Sequence, residues 1–232
     1  MGKQATSKLS GEERRAAIIR AVRQVFAEKG FDGTTTRELA EAAAVSEALL
    51  FKHFPNKEAL FSAMQESCCN ESAHDMFSRI HALEPSASAL TLLIHFLVSR
   101  IAGNEGDNDE VETVHSRLML RSLAEDGEFA RVFLRGRVAC FVPKVEEGLR
   151  AAVEAGEAVD MPVRPRLRAF FAHHLAAMLR VLMLPAKPAL EYGVSRDKLM
   201  EHAVWFTLRG MGLKDDAIKR YYNPKALALF ER

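Results

Sequence analysis

The 232-residue sequence predicts an all-α fold, with an N-terminal three-helix bundle of helix-turn-helix type followed by a larger helical body. Three observations carry this. Apolar residues recur at three- and four-residue steps, while β-branched runs of period two are absent. Two capping boxes, Ser10 with Glu13 and Thr35 with Glu38, mark helix starts in the first forty residues. The composition is 48% hydrophobic, which is ample for a packed core.

The elements follow in order. A helix opens at Ser10, carries Ile18, Val22, Val25 and Phe26 on one face, and ends at Gly30, where a left-handed residue is wanted. Thr35 caps a second, short helix whose Leu39, Ala40 and Ala43 face inward. Ala44-Val45 is a turn, and Ser46 caps a third helix, 47–54. Pro55-Asn56 stops it, and Asn56 caps a fourth that runs from Lys57 to about Leu83. Pro85-Ser86 breaks the chain, and a helix follows over about 87–102. Residues 103–110 (GNEGDNDE) read as an exposed loop. Next come a helix over 111–123, a turn at Asp126-Gly127, and a long helix ending near Ala155 that Pro143 should kink. Residues 156–165 form a linker. Helices over about 166–184 and 196–213 flank a loop at 185–195, and a short helix over 224–230 closes the chain. The domains are read as 1–56, with 1–9 a flexible arm, and 57–232.

Composition excludes several classes. The formal charge is +1, so a globally basic surface is not what meets a nucleic acid here, and any basic groups must be placed locally. The most apolar stretches, 89–98 and 175–184, are too short to span a bilayer, and no signal peptide is visible. Cys68 and Cys69 are adjacent and cannot form a relaxed bridge with each other; with Cys140 they read as reduced thiols of a cytoplasmic protein. No zinc spacing is present. His173 and His174 point about 100° apart on a helix, and His74 and His81 are two turns apart, so no metal site is expected. Neither a nucleophile elbow, nor a phosphate loop, nor paired carboxylates in an apolar setting occurs, and no enzyme or cofactor is expected. Glu146-Glu147 and Asp215-Asp216 read as solvated faces.

The run from Phe31 to Ala40 (FDGTTTRELA), continued from Ala43 to Leu60 (AAVSEALLFKHFPNKEAL), resembles the DNA-binding domain of the TetR family of transcription regulators. The resemblance is close over roughly residues 10–65; beyond that it extends to helix number and length. It implies a TetR-like helix-turn-helix domain joined to a ligand-binding and dimerisation domain. Thr35 and Thr36 stand at the start of the second helix, where free amides and the helix dipole favour a phosphate. Arg37 reaches either a phosphate or a guanine edge. Ser46, Glu47, Ala48 and Leu49 form the first turn of the recognition helix, with Phe51, Lys52 and His53 further along it. Lys57 is expected to anchor a phosphate. Glu47 belongs in the groove only if it accepts from a cytosine amine.

Two positions depart from the family pattern. Alanine replaces glycine at Ala44 in the turn, which costs ~1 kcal/mol or more if φ is positive there. Phenylalanine replaces tyrosine at Phe51. Residues 1–60 hold ten Lys/Arg against eight Asp/Glu, a net of +2. So weak a local charge implies that two domains bind together.

The body is expected to dimerise through its last two long helices, which carry the stripes Leu167, Phe170, Phe171, His174, Leu175, Met178 and Leu182, and Leu199, Ala203, Phe206 and Gly210. The resemblance also implies a small-molecule effector, hydrophobic or amphipathic, in a cavity lined by some of Phe96, Met119, Phe133, Phe141, Phe170, His174 and Met178. The reading is a cytoplasmic, nucleoid-associated repressor: a homodimer on a near-palindromic duplex operator. A regulator governed by a protein partner is the alternative, and a helical enzyme on the same fold is the rival from another class.

Overall fold

The computed structural model describes residues 10–71, 82–103 and 109–227. The expected arm 1–9, the stretch 72–81 with His74 and His81, most of the acidic loop and the last five residues lie outside the described residues. Helices α1 (Gly11–Lys29), α2 (Thr36–Ala42), α3 (Glu47–His53) and α4 (Lys57–Glu71) come first. Then follow α5 (Ala87–Val98) with a π-helical turn, Ser99–Gly103, α6 (Asp109–Ala124) and α7 (Glu128–Glu154). The chain continues with α8 (Pro165–Met183), α9 (Arg196–Met211), α10 (Asp215–Tyr221) and α11 (Pro224–Leu227). No strand is named among the described residues; Ala158 and Leu213 form an isolated antiparallel bridge.

The structure departs from the sequence expectation at several places. Residues 82–86 are turn and bend, so the fourth helix does not reach Leu83. The helix after Ser86 widens into the π turn instead of continuing regularly to Ala102. Asp109 and Glu110 are part of α6 and not of the loop. Asp215-Asp216 supplies the acidic first turn, favoured by the helix dipole, of α10, a helix that the sequence reading missed. Gly30 has a positive φ of 71°, as a helix-ending glycine should, but its ψ of −179° is extended and not left-handed helical.

The chain divides into two compact units. The described residues of the first are 10–71 and 117–133. Its interior is built from the inward faces of α1 to α4: Ile18, Val22, Phe26, Leu39, Leu50, Phe54, Leu60 and Met64 are all buried. Phe61 meets Phe26 edge-on at 4.9 Å and Phe31 at 5.2 Å, a geometry aromatic pairs favour. The α6–α7 turn belongs to this unit. There Ser122 accepts the Gly127 amide on its carbonyl (2.7 Å) and the Ala130 amide on its hydroxyl (3.1 Å). Arg121 donates to the Glu28 carbonyl at the end of α1.

The second unit comprises residues 82–103, 109–116 and 134–227 of the described chain. Its core joins Leu90, Ile94 and Val98 of α5 to Val145 and Leu149 of α7, with Ala172 and Ala176 of α8 and Val204 and Leu208 of α9. Small alanines on α8 let the neighbouring helices approach closely. At about 100° per residue, Ala169, Ala172, Ala176 and Leu179 fall on one side of α8 and are buried. Leu167, Phe171, His174 and Met178 fall within about 60° of one another on the opposite side and are exposed. On α9 the same geometry leaves Phe206 70% exposed, near Gly210. Each long helix thus has one face for the core and one that no described residue covers.

Candidate nucleic-acid interface

The loop that leads into α2 is built first. The Thr34 side chain is buried and donates to the Gly30 carbonyl at 2.6 Å. Lys57, at the start of α4, donates from Nζ to the carbonyls of Phe31 (2.8 Å) and Thr34 (2.9 Å) and lies 4.2 Å from the Phe31 ring centre. Two of its three donors are therefore spent on the loop. Sequence reasoning assigned Lys57 to a phosphate; what the structure shows is that it latches the entry to α2.

Thr35 caps α2 in a complete box: its hydroxyl oxygen accepts the Glu38 amide (3.3 Å), and Glu38 Oε2 accepts the Thr35 amide (2.9 Å). The other oxygen of Glu38 accepts from Lys29 at 2.5 Å. The Lys29 ammonium, with the Thr35 amide and hydroxyl, holds the Glu38 carboxyl down at about 2.

The turn between α2 and α3 closes through the Val45 amide, which donates to the Ala40 carbonyl at 3.0 Å. Ala44 has φ of 51°, the one positive value among the described non-glycine residues. The left-handed turn is thus kept in spite of the missing glycine, with its steric cost. Ser46 then caps α3 by accepting the Leu49 amide at 3.2 Å.

On α3, Leu50 is buried and holds the helix to the core, while Glu47, Ala48, Phe51 and Lys52 are exposed and Leu49 and His53 are half-buried. Phe51 remains 42% exposed, an apolar ring on a polar face. Glu47 accepts a hydrogen bond from the Thr36 hydroxyl at 2.9 Å. Arg37 is well exposed and pairs with Glu41 one turn on, at 2.9 Å. The structure therefore brings Thr35, Thr36, Arg37 and the outer face of α3 onto the surface of one unit. A short capped helix, a tight turn and a second capped helix with an exposed outer face define a helix-turn-helix domain.

The residues expected to line an effector cavity are dispersed. Phe96 and Phe170 pack at the edge of the second unit's core, and Phe141 is buried in it. His174 and Met178 lie on the exposed side of α8, since helical periodicity groups them with Leu167 and Phe171 and not with Ala172 and Ala176. Met119 and Phe133 belong to the first unit.

Residues 18–64 match the family model described as bacterial regulatory proteins, tetR family. Over those residues the chain is similar to the DNA-binding domain of the TetR family. Tetracycline repressor protein class A from transposon 1721 of Escherichia coli is 44% identical over 54 residues, 23% of this chain and 25% of that protein. The chain spans about a quarter of the length of most of the curated relatives it matches. Nucleoid occlusion factor SlmA of Marinomonas sp. MWYL1 aligns further, at 27% identity over 67% of this chain and 73% of its own. A tetR-family regulatory protein from Rhodococcus RHA1 superposes with a TM-score of 0.61 at 20% identity, covering 88% of this chain and 99% of that one. AibR, solved in complex with isovaleryl coenzyme A and operator DNA, gives 0.61 at 21% identity, covering 84% and 97%. Over 84–88% of its length the chain thus shares the fold of these two solved proteins. No helix among the described residues is long and apolar enough to cross a membrane.

Proposed function

We propose that this protein is a transcriptional repressor that binds a near-palindromic duplex operator as a two-fold dimer. The observation that carries the reading is the exposed outer face of α3 beside the capped N-terminus of α2. A helix so presented enters the major groove with Glu47, Ala48 and Phe51 toward base edges, while Lys52, His53 and the Thr35–Thr36 turn meet phosphates. Phe51 offers its ring to a thymine methyl or a sugar, and Ser46 and Leu49 complete the first turn. Lys57 presents its remaining N–H to the backbone while it holds the loop. The domain's small net charge makes one copy a weak binder, so affinity comes from two copies on one duplex. The uncovered stripes of α8 and α9 supply the surface for a four-helix dimer contact.

Release from DNA is assigned to a hydrophobic or amphipathic small molecule held in the body, near the Phe96, Phe141 and Phe170 edge of the second core. That AibR was solved with an acyl coenzyme A and operator DNA supports this reading. Helix α6 begins in the second unit and ends in the first, where Arg121 grips the end of α1, which makes it a route for the signal alongside α4. The ligand acts only through its preference for one spacing of the recognition helices, and a coupling of about 1–3 kcal/mol suffices.

Selection of bound duplexes from a random pool, followed by footprinting, tests the function. The expected result is a two-fold site with half-sites about 34 Å apart or slightly more. Enrichment of no sequence, or of a lone unsymmetrical half-site, would overturn it.

A further inference from the structure

The second unit contains a cleft of about 530 Å³ between the C-terminal part of α7, the linker after it and the first turn of α8. None of the residues expected to line an effector cavity borders it. Its walls are charged: Glu146, Arg150 and Glu154 come from α7, Asp160 from the linker and Arg168 from α8. Leu149 and Val153, one turn apart, add an apolar strip. Glu146, which the sequence suggested was merely solvated, is thus part of a concave surface.

Arg168 gives the cleft its chemistry. The residue is 5% exposed, and its Nη1 donates to the Met211 carbonyl at 2.7 Å. Its Nε is buried, with no acceptor among the described residues. Burial lowers its pKa, and the nearby Asp160 charge opposes that shift. Arg168 borders the cleft as a largely buried cation, and an entering carboxylate supplies the opposite charge.

The site is rigidly built. The Val159 amide donates to the Gly212 carbonyl and the Lys214 amide to the Glu157 carbonyl, both at 2.9 Å. Gly212 has φ of 99°, and a Cβ there would stand 2.9 Å from the Val159 carbonyl oxygen and 3.1 Å from the Met161 sulfur. Glu157 Oε1 in turn accepts from the Tyr221 hydroxyl at 2.7 Å and from Arg220 at 3.1 Å. The linker that carries Asp160 is therefore pinned against the corner after α9.

Three carboxylates around two guanidiniums select a ligand of mixed charge. A dicarboxylate or phosphate meets the acidic groups, and a simple amine meets the buried cation. A zwitterion satisfies both, and a short aliphatic side chain would lie along Leu149 and Val153. The volume falls within the range usual for small-molecule sites. We propose that this cleft binds a free α-amino acid with an aliphatic side chain, its carboxylate at Arg168 and its ammonium at Glu154 and Asp160. The site is separate from the effector region invoked for operator release and stands or falls independently of it.

Calorimetric titration of the full chain with L-leucine, L-leucinamide and N-acetyl-L-leucine tests it. L-Leucine is expected to bind with a Kd between about 1 μM and 1 mM. Amidation and N-acetylation should each weaken binding by at least about tenfold, one through Arg168 and the other through the carboxylates. Because Arg168 also holds Met211, altering the ligand's carboxylate tests its role without disturbing the fold. Asp160→Asn and Glu154→Gln change exposed residues and should also weaken L-leucine by about tenfold or more. No binding of L-leucine up to about 10 mM, equal binding of N-acetyl-L-leucine, or unchanged affinity in both variants would each overturn the proposal.

Discussion

The Thr36 hydroxyl donates to the Glu47 carboxylate at 2.9 Å, joining the first residue of α2 to the first residue of α3. The bond occupies the acidic group that the proposed docking carries into the negatively charged major groove. Thr36→Val keeps the shape and removes the donor. It is expected to weaken binding to operator and unrelated duplex alike by about three- to tenfold. In a Glu47→Gln background the same change should have little effect, because the repelling charge is gone. A double-mutant cycle of duplex affinities measures this, and equal losses in both backgrounds would show that the bond is irrelevant to binding.

Ala44 adopts φ of 51°. Ala44→Gly relieves the Cβ clash and gives back part of the gain as unfolded-state entropy. A net stabilisation of about 1 kcal/mol, or about 2–4 °C in Tm, is expected by thermal unfolding. A lower Tm would mean that the turn carries no strain.

Lys57 has two tasks that different measurements separate. Lys57→Met leaves the Phe31 and Thr34 carbonyls without their donor. It should cost about 1–3 kcal/mol in denaturant unfolding without DNA. It should also lower the salt dependence of operator binding by about one unit, if the remaining N–H meets a phosphate. Loss of stability with an unchanged salt slope would assign Lys57 to the loop alone.

The depressed pKa of Glu38 makes a pH prediction. Its folded value of about 2 lies below the ordinary 4.5, so it stabilises the fold above about pH 4.5, and this contribution fades as pH falls through 2. Glu38→Gln should therefore have a lower Tm than the parent at neutral pH, and the two curves should converge between about pH 4 and 2. A constant gap over that range would rule out the carboxylate as the source.

Dimerisation is expected to rest on the exposed stripes. Light scattering should give about twice 25.8 kDa. Phe171→Asp combined with Phe206→Asp should halve that mass, leave the helical circular dichroism intact and reduce operator affinity by at least about 100-fold. A variant that remains dimeric would place the interface elsewhere.

Much of the first unit could be read from the sequence, because its signals are local. Capping boxes at Ser10 and Thr35, the Ser46 cap and the Asn56 cap each act within three or four residues, and the structure shows all four. On α8 periodicity marked an apolar stripe but not its two faces: Phe170 and Leu175 of that stripe pack against the core, while Leu167, Phe171, His174 and Met178 are exposed. What only the tertiary structure decided depends on groups far apart in the chain. Lys57 reaches back 26 residues to the Phe31 carbonyl, and Arg121 reaches 93 residues to Glu28. The charged cleft likewise needs the α7 carboxylates, the pinned linker and the buried Arg168 to meet, and the corner that pins the linker lies some fifty residues downstream. Phe and Met content suggested a cavity, but composition has no direction: packing decided that Phe141 fills the core and that Met178 faces out. Local hydrogen bonding and helical periodicity are written in neighbouring residues, whereas burial and charge placement are set only when distant segments pack together.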